Sequence, residues 1–482
     1  MNTLLIILIA YSLLMIALGA VVSRGVKESN DFYVAGRGLG AVYLAVTLIA
    51  ANIGAGSTVG AAGLGYRDGL AAWWWVGSAG IGSLILALTV GPKIWKIAKE
   101  KNLLTVGDYL EHRFDRRVRM TAAVFLWLGS MVILSGQLIA VAWILNVVAG
   151  VSKPVGCLLA ALVSTIYFTA GGLHSTVRVN MLQLCVKLIG FILAIAFAID
   201  LSGGITGLGE KLGAKVAADS VDSYLSFFGT GGAAIAGYVA ALVPSFIISP
   251  GLLQKIFGAR DTKSVRIGVS VNAVVLLIFA IVPVAIGMIA RGWLDPLGNR
   301  ELAMPLVLSE VLPVWLGALL LAAIFSAEVS TADAVLFMLT TSLGKDFYKG
   351  ILKPEATDRE LLRFTRRAAV ICGVGGALLA LALETVIGAL TAFYSIITAV
   401  FLLPMLSGLY SKRVSARSAL ISIGVTVGML FLIEFAPRLS ALEPVTSALT
   451  YAVRVWGVPS LVVAILAGLA AMIVNEMLDV RG

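Results

Sequence analysis

The chain has 482 residues, of which 60% are hydrophobic and only 13% charged, and its mean hydropathy is +1.00. A water-soluble protein of this length needs far more polar surface, so a large soluble helical core is excluded. The net charge of +10 is no argument for nucleic acid, because a membrane protein concentrates basic residues in its loops for topological reasons.

Thirteen apolar segments follow one another, at about 3–23, 42–64, 71–93, 118–149, 153–170, 178–201, 226–252, 266–291, 313–342, 366–385, 387–410, 415–436 and 452–475. Many reach 18 residues or more, the length that crosses a hydrocarbon layer of roughly 30 Å at 1.5 Å per residue. The first has no basic residue before it, and Arg24 and Lys27 follow it. A cleaved signal peptide shows the reverse arrangement, so this segment reads as a retained helix with its N-terminus outside. Alternation then makes 24–41, 93–119, 171–178, 253–266, 343–367, 411–417 and the C-terminus cytoplasmic. Those stretches hold about 27 of the 36 Lys and Arg residues and the external loops about 8, as the positive-inside rule requires. The runs Arg113–Arg119 and Arg363–Arg367 read as topology anchors. The expected location is the plasma membrane, or the inner membrane in a bacterium, in multi-pass form.

Cys157, Cys185 and Cys372 sit in apolar runs without a CxxC pair, and His112 and His174 are far apart. No nucleophile–base pair or transition-metal cluster is legible, so a membrane enzyme is not expected. A channel would show repeated filter elements or a polar-lined pore, and neither is present. Nothing in the chain signals an obligatory protein partner or nucleic acid; the expected partners are the bilayer, a small organic solute and an ion.

Two segments are unfit to be continuous helices. In 42–64, Asn52-Ile53-Gly54-Ala55-Gly56-Ser57-Thr58 places glycines and small polar residues at mid-membrane depth. In 226–252, Pro244 and the turn Ser249-Pro250-Gly251 do the same, and proline removes a backbone donor. Freed backbone groups must be buried in protein or line a water-filled cavity. The first break opens a block of five segments (42–201) and the second opens another five (226–410). An odd number of spans per block inverts the second relative to the first. Inverted repeats that each begin with a broken helix mark an alternating-access transporter with its site at the midplane. The chain divides accordingly into 1–37 (an extra helix and loop), 38–202 and 203–411 (the two repeats), and 412–482 (two further helices).

Phe325-Ser326-Ala327-Glu328-Val329-Ser330-Thr331-Ala332-Asp333 lies in the third helix of the second block. Sodium takes oxygen ligands, and hydroxyls with carbonyls provide them without excess charge in the membrane. At 100° per residue, Ala327, Ser330 and Thr331 share one face. The remaining ligands would be the carbonyls of Ala50 and Ile53 at the first break. Alternatively, Ser330 and Thr331 bond back to carbonyls of their own preceding turn.

Several stretches carry a resemblance: Asp31-Phe32-Tyr33-Val34-Ala35-Gly36-Arg37, Ala50-Ala51-Asn52-Ile53, Tyr109-Leu110-Glu111-His112-Arg113-Phe114, and Gly171-Gly172-Leu173 with Gln183. Pro250-Gly251-Leu252-Leu253-Gln254-Lys255 and Ser330–Asp333 with Asp346-Phe347-Tyr348 complete the set. In this order and spacing, across roughly residues 3–415, the chain resembles the solute:sodium symporter family. The resemblance implies a LeuT-like, all-α five-plus-five core with one helix before it and two after. It also implies a sodium site at Ala50, Ile53, Ala327, Ser330 and Thr331, with sodium as the coupling ion.

The chain departs from that family where many members carry a Thr-Asp pair: here the residues are Val179-Asn180. Lys187, in the middle of the same helix, and Glu328, beside the proposed ligands, are further intramembrane charges, as is Asp333. Such groups are costly and face a cavity or a partner. Lys187 is seven residues after Asn180, about 10 Å along the same face, and the expectation is that Lys187 and Glu328 pair across the core. Lys187 also opens a rival, sodium-independent or proton-coupled mechanism, since a buried lysine can replace an ion or carry a proton.

The solute is expected between the breaks, near Asn52, Ser57, Thr58, Gln137 and Ser249. With so few donors a polyol is disfavoured, and a compact carboxylate or amino acid is expected. Trp73, Trp74 and Trp75 have two readings, pocket wall or interfacial belt, and their place at a segment's start favours the belt.

Overall fold

A computed structural model describes residues 4–10, 13–14, 37–201, 203–217, 220–434, 453 and 457–479. Most of the first apolar segment, residues 31–36 of the first family-like stretch, and the side chains of Asn180, Gln183 and Lys187 lie outside the described set. Every regular element among the described residues is helical; an isolated bridge joins Leu39 to Ala259. Ten helical stretches there are long and apolar enough to span a membrane, with Ala41–Asn52 and Lys153–Ile166 as shorter apolar helices.

The first core helix is broken as the sequence requires. Helix α1 (Ala41–Asn52) ends, Ile53 and Gly54 leave helical geometry, a 3-10 turn covers Ala55–Ser57, and α2 (Val59–Asp68) resumes. Then come α3 (Trp73–Leu88), α4 (Arg116–Ala149) and α5 (Lys153–Leu201). The second broken helix is α6 (Gly231–Ile248) and α7 (Pro250–Phe257), divided at Ser249. It is followed by α8 (Thr262–Phe279), α9 (Ile281–Trp293), α10 (Val314–Thr341), α11 (Asp358–Ala382) and α12 (Val386–Tyr410), then by α13 (Ala416–Glu434) and α14 (Ser460–Asp479).

Residues 171–178 differ from the sequence reading, which made them a loop: helical hydrogen bonding runs unbroken through all 49 residues of α5. A straight helix of that length would be ~74 Å long, more than twice the hydrocarbon thickness. One helical run therefore supplies what the sequence divides into two spans. Continuing the helix keeps each backbone donor and acceptor of the connection paired, which a polar loop leaves to water.

Helix α10 is the central strut. Its span is 83% buried at its most apolar stretch, against 28% for α14, so α10 is walled in by protein and α14 lies on the outside of the bundle. It packs against α1, α4, α5 and α11.

Glycines let the half-helix α2 lie backbone to backbone on α9. A Cβ on Gly287 would sit 2.0 Å from the Ala62 carbonyl oxygen, and one on Gly65 would sit 2.5 Å from that of Val284. Neither obstacle is a flexible side chain. Gly287→Ala should therefore force the pair apart and destabilise the fold by ~1–3 kcal/mol, the usual cost of overpacking. A clear fall in the thermal midpoint of the purified protein would show it; an unchanged midpoint would contradict the close packing.

Glu301, fully buried in the connection before α10, fastens the start of α12. Its carboxylate accepts from the Val386 N–H at 2.6 Å and from Trp143 Nε1 at 3.0 Å. Burial lifts this carboxyl above its ordinary value, and the Val386 and Trp143 bonds offset only part of the rise. The folded state thus holds the proton more tightly than the unfolded chain. The associated stability is complete below the ordinary glutamate value and is lost as pH rises through the raised one. Glu301→Gln should flatten that segment of the midpoint-versus-pH curve; parallel curves for variant and native protein would count against it.

Candidate functional site

The break between α1 and α2 exposes carbonyls by redirecting amides. The Gly54 N–H, which would close the next helical turn on Ala50, goes instead to Ser57 Oγ at 3.0 Å. The Ala55 N–H goes to Gln137 Oε1 at 2.9 Å, Ser57 Oγ reaches the Asn52 carbonyl at 2.9 Å, and Trp75 Nε1 binds the Gly56 carbonyl at 2.9 Å. Side chains of α3 and α4 thus satisfy the opened segment. Gly54 is required by contact: a Cβ there would lie 2.3 Å from Thr331 Oγ1.

That contact brings the break onto α10. Thr331 Oγ1 lies 3.0 Å from the Ala327 carbonyl, 3.3 Å from that of Ile53 and 3.5 Å from that of Ala50. Ser330 Oγ lies 3.2 Å from the Ala327 carbonyl and 3.3 Å from that of Ala50. All five residues singled out as sodium ligands are brought together, and all are buried. The back-bonding alternative is present as well, through Ala327, so the two readings share the same atoms. Each hydroxyl carries one proton. Of the five oxygen–oxygen approaches, only two can be hydrogen bonds at once. An oxygen-held cation of calcium's size sits about 2.4 Å from its ligands, which puts right-angled ligands ~3.4 Å apart. The observed separations match that spacing.

Beside this cluster lies a cavity of ≈150 Å³, about the volume that holds one benzene. Asn52, Ser57, Gln137 and Ser249 line it together with Thr331. Asn52 is oriented by Asn272, whose Oδ1 accepts from Asn52 Nδ2 at 2.9 Å. Thr58 is not among the lining residues; it turns toward α10, where its hydroxyl lies within hydrogen-bond reach of the Glu328 carboxylate and the Gly54 carbonyl. One residue's rotation about α2 separates it from Ser57.

Three features of the cavity were not read from the sequence. Trp75, assigned to an interfacial belt, is only 2% exposed and lines the cavity, stacked edge-on near Tyr238 and close to Tyr394. Trp73 and Trp74 bond the Leu277 and Phe227 carbonyls instead. Tyr394 and Phe246 add aromatic wall. Lys255 and Gln254, in a stretch read as loop from residue 253, lie on α7 and line the end of the cavity near Leu39 and Gly258. The bridge between Leu39 and Ala259, with Leu39 N–H to Gly258 at 3.0 Å and Arg260 N–H to Leu39 at 2.9 Å, fixes that end.

Of the expected intramembrane charges, Asp333 lines the cavity, and Glu328 is fully buried against Thr58. The pairing expected between Lys187 and Glu328, and the place of Asn180, lie outside the described side chains. Among the described residues no three His, Cys, Asp or Glu side chains converge on a metal position, so the cation-compatible cluster is the one made of hydroxyls and carbonyls.

The fold has solved neighbours. A Na+-coupled sialic acid symporter in a substrate-bound outward-open state superposes with a TM-score of 0.78 at 19% identity, covering 98% of this chain and 97% of the other. Mhp1, a nucleobase-cation-symport-1 family transporter in a closed conformation, gives 0.57 at 13% identity, with 93% and 94% covered. The LeuT-like architecture stands on these likenesses. In sequence, the sodium/pantothenate symporter of Escherichia coli (strain K12) is 27% identical over 407 residues, covering 81% of each chain. The sodium/glucose cotransporter of Vibrio parahaemolyticus is 25% identical over 465 residues, covering 89% of this chain and 84% of the other. The model of the sodium:solute symporter family matches residues 32–428. A multi-pass helical bundle with a broken-helix site, matched by that model over most of its length, makes this chain a membrane transporter of the sodium:solute symporter family.

Proposed function

We propose that the protein couples sodium entry to the uptake of a compact organic solute, a carboxylate or an amino acid, by alternating access. Sodium would occupy the cluster formed by Ala50, Ile53, Ala327, Ser330 and Thr331. The solute would occupy the adjoining cavity, against Asn52, Ser57, Gln137 and Ser249. The observation that carries this reading is the meeting of five oxygens, with two protons among them, at the contact between the first break and α10. A cation at their centre removes the mismatch between oxygens and protons, and hydroxyl and carbonyl ligands suit a hard monovalent ion. It also gives a reason for coupling. The ion bridges α1 and α10, and Thr331 belongs both to its shell and to the cavity wall, so ion and solute favour the same arrangement of the two helices.

With the orientation that the basic loops imply, the Leu39–Gly258 end of the cavity faces the cytoplasm. The relatives' names span solutes as different as pantothenate and glucose, so the solute has to be read from this chain's own cavity.

Sodium should raise the thermal midpoint of the purified protein relative to potassium at equal ionic strength, the underlying stabilisation being ~2.7 kcal/mol when its concentration is a hundredfold above Kd. Ser330→Ala and Thr331→Ala should each shift the sodium dependence to concentrations roughly tenfold higher or more, since each removes a buried ligand. Equal midpoints in the two salts would contradict sodium binding. Uptake into liposomes that follows a proton gradient and ignores a sodium gradient would favour the Lys187 mechanism instead.

A further inference from the structure

The end of the cavity nearest Leu39 and Gly258 is furnished with hydrogen-bond donors. Lys255 Nζ makes one hydrogen bond, to the Thr47 carbonyl at 3.3 Å, although an ammonium has three donors. Gln254 is only 7% exposed, lines the cavity, and its Nε2 has no partner. Buried donors of this kind are costly unless a ligand completes them. Both belong to α7, the short helix that starts at the second break, so they are held at a fixed distance from the Ser249 turn.

Acceptors, not donors, are what these two groups lack, and an ammonium with an amide N–H₂ suits a carboxylate. Away from them the wall is mostly apolar and aromatic, with Leu242, Phe246, Met338 and Tyr394, and its polar groups include those of Asn52, Ser57, Gln137, Ser249 and Thr331 described above. The complementary ligand therefore has one carboxylate and a compact apolar body.

Charge balance explains why such an anion would follow sodium. The charged side chains lining the cavity among the described residues are Lys255 and Asp333, and the two interact electrostatically. Asp333 lies three residues after Ser330, on the same face of α10 and one turn further along. Before sodium binds, Asp333 is the counter-charge that Lys255 faces. Once sodium sits beside Ser330 and Thr331, it balances Asp333, and the lysine is left to balance an incoming anion. Buried charges need that pairing.

We propose that Lys255 and Gln254 form a carboxylate-binding subsite at this end of the cavity, so that the carried solute is a compact apolar monocarboxylate whose binding follows that of sodium. This rests on the sodium-symport reading above, and the test separates the two. Benzoate and benzamide have nearly the same size and differ in charge. Thermal midpoints of the purified full chain would be measured with each compound, in sodium and in potassium.

Benzoate should raise the midpoint beyond the sodium value, benzamide should not, and the benzoate shift should disappear in potassium. Lys255→Met should weaken the benzoate response roughly tenfold or more, Lys255→Arg should keep most of it, and Gln254→Leu should fall between. The sodium shift of Lys255→Met without benzoate reports that this variant is folded. Equal shifts from benzoate and benzamide, no shift from either, or a full benzoate response in Lys255→Met would overturn the proposal. A benzoate shift that depends on Lys255 but occurs equally in potassium would keep the anion subsite and remove its dependence on sodium.

Discussion

A backbone carbonyl freed inside the hydrocarbon layer has no water to turn to, and the rest of this structure is arranged around that constraint. Interrupting the first core helix at Ile53 and Gly54 releases polar groups in the buried interior of the bundle. Gln137, Ser57 and Trp75 satisfy part of the break from neighbouring positions. The carbonyls of Ala50 and Ile53 are aimed at two hydroxyls of α10. Each requirement follows from the one before: the break needs Gly54, Gly54 admits Thr331 to close contact, and that contact assembles the oxygens. A continuous helix would need none of these residues and would expose none of these carbonyls.

The same logic gives α10 its burial and its composition. A helix that meets α1, α4, α5 and α11 can keep Ser330, Thr331, Glu328 and Asp333 out of lipid, where each would be expensive. Thr58, which hydrogen-bonds the Glu328 carboxylate, joins the second half of the broken helix to this strut. On the opposite side the glycine contacts between α2 and α9 hold that half-helix against its neighbour. The break is thus held between two fixed surfaces, and a rearrangement at the oxygen cluster has to be transmitted to one or both.

Local features were the most legible in the sequence. Both breaks could be read because glycine, proline and small polar residues disrupt a helix wherever they occur, and the hydroxyl–carbonyl cluster because Ala327, Ser330 and Thr331 fall on one face at any helical pitch near ideal. What remained hidden depended on helix rotation and length. Three successive tryptophans point in three directions, and only the orientation of α3 shows that Trp75 enters the cavity while Trp73 and Trp74 do not. Ser57 and Thr58 differ by a single step about the axis, yet one lines the cavity and the other faces Glu328. Lys255 fell in a stretch assigned to a loop because it is charged, whereas α7 carries it to Phe257 as helix. The connection at 171–178 was assigned to a loop from the alternation of spans, and α5 continues through it as helix.

On the reading proposed above, the break in the first helix and the hydroxyls of α10 together form a sodium site. Equilibrium binding of radioactive sodium to the purified protein addresses it without knowledge of the solute. The account predicts saturable binding that excess unlabelled sodium displaces and potassium does not, and that is lost when Ser330 and Thr331 are both replaced by alanine in a protein that remains folded. Saturable binding undiminished in that double variant, or none in the native protein, would contradict it.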